Sequence, residues 1–336
     1  MSTQPAVEAT KPEASGLWAP VIKIALMVTV IVSVILTVFA WPVVSATPKN
    51  LQVGITSTVA GLADGIQEEF DRQRPGVFNF VDYPDLAAAK KAVQKREVYG
   101  ALVLTETPTM LIASGASPVV AQLLTNLSIE LGSQITASYG IEDINFVVED
   151  LAPLGTKDPR GAGLAAGSLP LIIAGIVVGL LGSMRLKRTR QKLAVSAIAG
   201  VTVGLAMVSI LNLWLGSLQG NFFVEVLVVG LGVAAVATTV MGASALFGRG
   251  GLLGVVGLFF IIGNPLSAVG VPTEFYPGSL GLFGQYLPLG AELQLLRSVS
   301  YFPEASTVNQ WLTLGAWLIV GILLLALARK IKPRVA

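Results

Sequence analysis

Six stretches of this 336-residue chain stay apolar for about the length that crosses a bilayer. A spanning helix needs roughly 20 largely apolar residues. The stretches are 20–44, 168–182 (extending back toward 164), 193–215, 222–247, 252–262 (reaching toward 266) and 311–327. The first, "PVIKIALMVTVIVSVILTVFAWPVV", has too long an apolar core for a cleaved leader, and "WPVVSATPK" after it is a weak cleavage site. It is therefore predicted to remain as a span.

Residues 50–153 follow a different pattern. "LQVGI" and "VFNFVDY" alternate as strands do, whereas 59–74 carries Leu62, Ile66 and Phe70 at helical spacing and is stopped by Pro75-Gly76. "PDLAAAKKAVQKRE" is predicted helical, with Asp85 near its start and cations toward its end, as the helix dipole prefers. "VYGALVLT" and "TMLIAS" read as paired strands around a turn at 106–108. Ser117-Pro118 opens a long helix, and "INFVVEDLAP" is a last strand. The predicted order is β-α-β-α-β-β-α-β, an α/β unit large enough to bury its own core.

Residues 264–304 are too interrupted by Pro and Gly to span and too apolar for a free aqueous loop. They suit a segment that dips into the membrane, with "GAELQLLRSVSYF" as a short interfacial helix bearing Tyr286, Tyr301 and Phe302 around it.

Composition sharpens this picture. Only 12% of residues are charged, half the share of a soluble domain, which predicts a polytopic membrane protein. Short cytoplasmic loops are rich in Lys and Arg. Arg185, Lys187, Arg188, Arg190 and Lys192 crowd "SMRLKRTRQK"; Arg249 follows the fourth stretch; Arg329, Lys330, Lys332 and Arg334 end the chain; Lys11 precedes the first span and Lys23 lies at its start. All fall on one side if there are six spans with both termini cytoplasmic in the cell membrane. Residues 45–165, with nine cations against fourteen acids, then lie outside.

The expected organisation is a disordered tail 1–19, a first span 20–44, an extracytoplasmic α/β domain 45–165, a five-helix membrane domain 166–329 with a re-entrant segment 267–310, and a tail 330–336. Five cations between two spans are enough to fix orientation, with no further role required.

Candidate chemistry is sparse. The chain has no Cys and no His, which removes thiol chemistry and the usual general base. Ser57, Ser114 and Ser117 have no such partner, and Glu68, Glu69, Asp71, Glu142, Asp143, Glu149 and Asp150 do not follow a calcium-loop pattern; a solvated surface accounts for the acids. The sequon at Asn126 lies inside a predicted helix. No catalytic residue, metal, cofactor or nucleic-acid partner is expected.

Polar groups near the spans are few: Lys23, Asn212, Glu225 and Asn264-Pro265. No row of acids crosses the bilayer, which argues against a proton- or sodium-driven transporter. Gly200/Gly204 and Gly250/Gly254 are small-residue pairs suited to helix packing. Asn212, Glu225, Asn264, Pro288, Glu292 and Arg297 are the candidates for an outer gate or path. Glu292 and Arg297 are five apart, a poor spacing for a helical ion pair.

Three stretches carry a family likeness. "DLAAAKKAVQKREVYGALVL" (85–104), "VEDLAPLGTKDPRGAGLAAGSLPLIIAGIVVG" (148–179) and "NPLSAVGVPTEFYPGSLGLFGQYLPLGAELQLLRSVSYF" (264–302) occur in an order that resembles ABC-2 type permeases, especially the YhgE/Pip-like branch. The resemblance runs from the first span to the sixth. It implies a homodimer or heterodimer exporting hydrophobic or amphipathic compounds, driven by a separate cytoplasmic ATPase. The chain has no Gly-x-x-x-x-Gly-Lys-Ser/Thr loop of its own. The resemblance assigns ATPase docking to the loop bearing Arg185, Lys187, Arg188 and Arg190. Relatives without an ATPase imply an alternative: a membrane scaffold or receptor whose external domain binds an envelope partner. A lipid-modifying enzyme is disfavoured, because no polar catalytic constellation is present.

Overall fold

The structure, a computed structural model, describes residues 14–139 and 145–331. Lys11, Glu142, Asp143, Lys332, Arg334 and the first thirteen residues of the expected 1–19 tail lie outside the described residues. Helix α1 runs Ala14–Val44, so the last part of that tail is helical. Leu17 and Trp18 continue the apolar run upstream of Pro20, and a helix that is already nucleated extends through them at little cost.

Between α1 and the next long helix lies a five-stranded sheet. Its elements are β1 (Leu51–Ser57), α2 (Leu62–Gln73), β2 (Phe78–Asp82), α3 (Leu86–Gln94), β3 (Gly100–Leu104), β4 (Thr109–Ile112), α4 (Pro118–Tyr139) and β5 (Val147–Asp150). The order across the sheet is β2-β1-β3-β4-β5, antiparallel only at β3/β4. This matches the alternation predicted from sequence. The caps are those the sequence offers. The Asp85 carboxylate accepts from Ala88 N at 2.8 Å at the start of α3, and Ser117 Oγ accepts from Val120 N at 3.3 Å at the start of α4.

Strand alternation sends Leu51, Val53, Ile55 and Leu102 to one face, where Phe70 of α2 and Leu124 and Leu127 of α4 cover them. Ala101, Val103 and Leu111 point to the other face, against Ala89, Ala92 and Val93 of α3. Neither core closes on its own. Phe275 completes the first and Phe302 the second, and both come from the segment that precedes the last helix.

Among the described residues five helical runs are long and apolar enough to cross a membrane, the lengths and surfaces of a multi-pass membrane protein. They are α1, α5 (Ala162–Arg185), α6 (Thr189–Val208, continued by a π turn Ser209–Trp214), α7 (Phe222–Val256, continued by a π turn Gly257–Gly263) and α10 (Val308–Ile331). The α7 run covers the predicted fourth and fifth spans together. It is not one rod: Gly248 adopts φ 66° and ψ −143°, a conformation open to glycine alone. The run therefore has two arms, and a Cβ on Gly251 would lie 2.4 Å from the Ala243 carbonyl across the bend.

The first arm of α7 is the hub. A Cβ added to Gly200 or Gly204 of α6 would lie 2.6 or 2.7 Å from the α7 carbonyls of Gly230 and Val226. Gly175 and Gly179 of α5 abut Val236 and Val240 equally closely, and Thr239 Oγ1 donates to the Trp317 carbonyl of α10 at 3.0 Å. The order of these contacts makes α5 and α10 parallel to the first arm and α6 antiparallel. Arg185, Arg249 and Arg329 consequently gather at the end of the bundle away from the sheet. The pair Gly250/Gly254 plays no comparable part, with nothing within 4 Å of an added Cβ at either position.

Helices α8 (Leu280–Gln285) and α9 (Pro288–Tyr301) form the interrupted segment. Glu292 of α9 lies against Gly232, ten residues or about 15 Å along α7, and Ser300 returns to Glu225 in the first turn of α7. The helix is therefore inserted among α5, α7 and α10. Its residues from Pro288 to Leu293 are all buried, so it does not lie on an interface with one wet face as the sequence suggested.

Hydroxyls on the apolar helices are satisfied locally. Thr29, Thr37, Ser183, Ser196, Thr202 and Thr313 all donate to carbonyls one turn back, as a low-dielectric surrounding requires.

The two glycine pairs give a matched test. Gly200→Val should lower unfolding free energy by about 1–3 kcal/mol through overpacking. Gly254→Val should change it by no more than about 0.5 kcal/mol. Denaturant titration of the detergent-solubilised chain distinguishes the two.

Candidate functional site

The basic corner is very tight. Arg185 ends α5, Lys187 and Arg188 occupy the three-residue link 186–188, and Arg190 is in the first turn of α6. These four side chains are exposed, while Lys192 is buried. Arg188 N donates to Gln191 Oε1 at 3.3 Å and starts the helix. Cations in a first helical turn oppose the helix dipole by about 0.3–1 kcal/mol each. The helix dipole therefore does not account for Arg190.

At the sheet-facing end, two predicted residues come together. Glu225 is fully buried. Its Oε2 accepts from Asn212 Nδ2 at 2.8 Å, and its Oε1 from Gly220 N at 2.9 Å and Ser300 Oγ at 2.5 Å. Three donors therefore meet the Glu225 side chain at the N-terminal end of α7. The π turn Ser209–Trp214 carries Asn212, and nothing in the sequence signalled it. The result is a latch joining the ends of α6, α7 and α9.

The other predicted residues are dispersed. Asn264 uses its carbonyl to receive Ser267 N and Oγ in a turn, and Pro288 is the first residue of α9. Glu292 is buried against Gly232, and its Oε1 has no hydrogen-bond partner among the described residues. Arg297 donates to the Val269 carbonyl at 3.0 Å and does not meet Glu292. In this conformation Glu225 and Glu292 are closed off from solvent.

The serines considered for chemistry have structural roles. Ser57 turns the chain toward Val59, Ser114 donates to Asp150 at 2.5 Å, and Ser117 caps α4. Among the described residues no cluster of three metal-ligating acids exists.

A polar junction that the sequence did not signal joins the sheet unit to α9. Helix α3 ends in a Schellman motif: Arg96 N donates to the Val93 carbonyl at 3.0 Å and Glu97 N to the Ala92 carbonyl at 2.9 Å. The left-handed position of that motif usually holds glycine, yet here it holds Arg96, with φ 60°. Its side chain crosses to α9. Nη1 donates to Ser298 Oγ at 2.6 Å, Nη2 donates to Gln294 Oε1 at 2.8 Å, and the guanidinium stacks 5.2 Å from the centre of the Phe302 ring.

Beside it, Tyr99 donates to Glu274 at 2.9 Å. Burial, reinforced by the Glu274 charge, pushes the Tyr99 phenol well above its ordinary pKa, and burial lowers that of Arg96. Cavities of about 250 and 470 Å³ flank this junction, and Arg96, Tyr99, Gln294 and Gln310 line both. The available sequence signal was a helix end, "QKREVYG", with no glycine at the position that usually requires one.

Compared with protein-family models, curated proteins and solved structures, the chain matches none. Function must be argued from the geometry.

Arg96→Gly keeps the left-handed turn but deletes the clamp. A double-mutant cycle with Gln294→Ala should return a coupling energy of about 1–2 kcal/mol. A coupling near zero, read from unfolding transitions, would remove Arg96 as the link between sheet and helices.

Proposed function

We propose that this chain is a six-span permease subunit of the cell membrane, exporting hydrophobic or amphipathic compounds with energy from a separate cytoplasmic ATPase. In this reading both termini are cytoplasmic, the α/β unit is extracytoplasmic, and the working unit is a dimer. The observation that carries it is the polarity of the bundle. The Arg185–Arg190 corner, Arg249 and Arg329 share one end, while the sheet and the latch of Asn212, Glu225 and Ser300 share the other. The bend at Gly248 supplies the additional reversal that six crossings need. The inserted α9, with Glu292 and Arg297, is the element whose movement would open a path. The likeness of the three quoted stretches to ABC-2 permeases supports the same reading.

A second reading has its own support. Three residues between α5 and α6 leave little room for a coupling helix, which favours a non-transporting scaffold or receptor whose sheet unit binds an envelope partner.

The natural absence of cysteine makes single-cysteine topology reporters clean. Glu68→Cys should be labelled by an impermeant maleimide on intact cells, and Lys187→Cys only after lysis. External labelling of Lys187→Cys would overturn the orientation. Co-purification should retrieve an ATPase whose activity the chain stimulates, and replacing Arg185, Lys187, Arg188 and Arg190 with Glu should abolish that stimulation. Retrieval of envelope proteins alone would favour the scaffold.

A further inference from the structure

The larger cavity beside Arg96 has a consistent chemistry that neither the latch nor the basic corner uses. Its volume is about 470 Å³. Arg96 is the one charged residue in its wall. The amide side chains Gln285, Gln294, Asn309 and Gln310 line the same cavity. The Oε1 atoms of Gln285 and Gln310 are buried without a hydrogen-bond partner among the described residues, so two acceptors await a donor. The three hydrogen bonds of Arg96 occupy three of its five N–H donors.

The rim is different. Leu282, Tyr286 and Leu312 line the same cavity and are 62%, 70% and 65% exposed, on apolar helical surface. A single compartment therefore offers a cation, unpaired acceptors and an apolar apron.

We propose that this cavity binds the headgroup of an anionic glycerophospholipid bearing hydroxyl donors, drawn from the leaflet on the sheet side, with its acyl chains over Leu282 and Leu312. The phosphate accepts from Arg96, and the hydroxyls donate to Gln285 and Gln310. A zwitterionic choline head fits poorly, because it brings a bulky cation with no N–H or O–H donor beside a guanidinium. The wall comes from the link between α3 and β3 and from α8, α9 and α10, so a bound lipid also bridges the sheet unit and the last helix. The proposal rests on the membrane-spanning orientation above but not on transport.

Native mass spectrometry of the full chain in detergent tests it, with phosphatidylglycerol and phosphatidylcholine supplied together. Phosphatidylglycerol should be retained at least about tenfold better, because both lipids offer a phosphate to Arg96 but only phosphatidylglycerol adds hydroxyl donors and brings no second cation beside it. Arg96→Gln should remove that preference. Because Arg96 also holds the sheet to α9, Gln310→Leu is the companion variant. It should weaken phosphatidylglycerol retention severalfold while leaving the thermal midpoint unchanged. Equal retention of the two lipids, or undiminished binding by Gln310→Leu, would overturn the site. Displacement of the lipid by glycerol 1-phosphate at equal concentration would also overturn it, by identifying a soluble anion as the occupant. Normal cysteine labelling alongside any of these failures would leave the orientation standing.

Discussion

The fold depends on one shared hydrophobic closure. The five-stranded sheet has two faces, and each is sealed by an aromatic ring from the segment between α7 and α10: Phe275 on one side and Phe302 on the other. Removing either ring from water stabilises by about 1.5–3 kcal/mol, and neither burial is available until the helices have assembled. The sheet unit and the helical bundle are thus energetically a single object. Arg96 reinforces the same seam with polar contacts, and it does so from a backbone position that costs on the order of 1 kcal/mol to maintain.

A second constraint is the treatment of polarity among apolar helices. Hydroxyls turn back on their own helices, and Glu225 collects three donors at the start of α7. These groups find partners within the protein, as they must where no water is at hand. Glu292 differs from Glu225, lying against Gly232 with an unmatched oxygen on a helix that is inserted rather than spanning. The hydrogen bonds that fix this helix lie toward its C-terminal end, at Gln294, Arg297, Ser298 and Ser300, while the Glu292 turn is held by packing alone.

Much of the architecture was legible in the residues. Alternation and turn signals between Leu51 and Asp150 gave every strand and helix of the sheet unit in order, because each core position is set by local periodicity. The apolar runs were equally plain, since length and composition suffice for them. Less legible was whatever depends on residues distant in sequence. Asn212 and Glu225 were singled out separately, but a π turn, which has no composition cue, is what faces them toward each other. Gly200/Gly204 and Gly250/Gly254 share one spacing, and only the first pair meets a neighbouring helix. Arg96 looked like an ordinary cation at a helix end until the partner helix, about 200 positions downstream, was in place.

Helix α1 stands apart from this dense packing. None of its apolar window is buried inside the molecule, and it meets the bundle near its sheet-side end, where Phe39 approaches Phe260 with ring centres 6.3 Å apart. With so little protein against it, the thickness of the surrounding hydrocarbon governs its lean. Its 25-residue stretch Trp18–Pro42 reaches about 37 Å against roughly 30 Å of lipid core, so a thinner membrane tips this one rod further while the remaining helices keep their mutual angles.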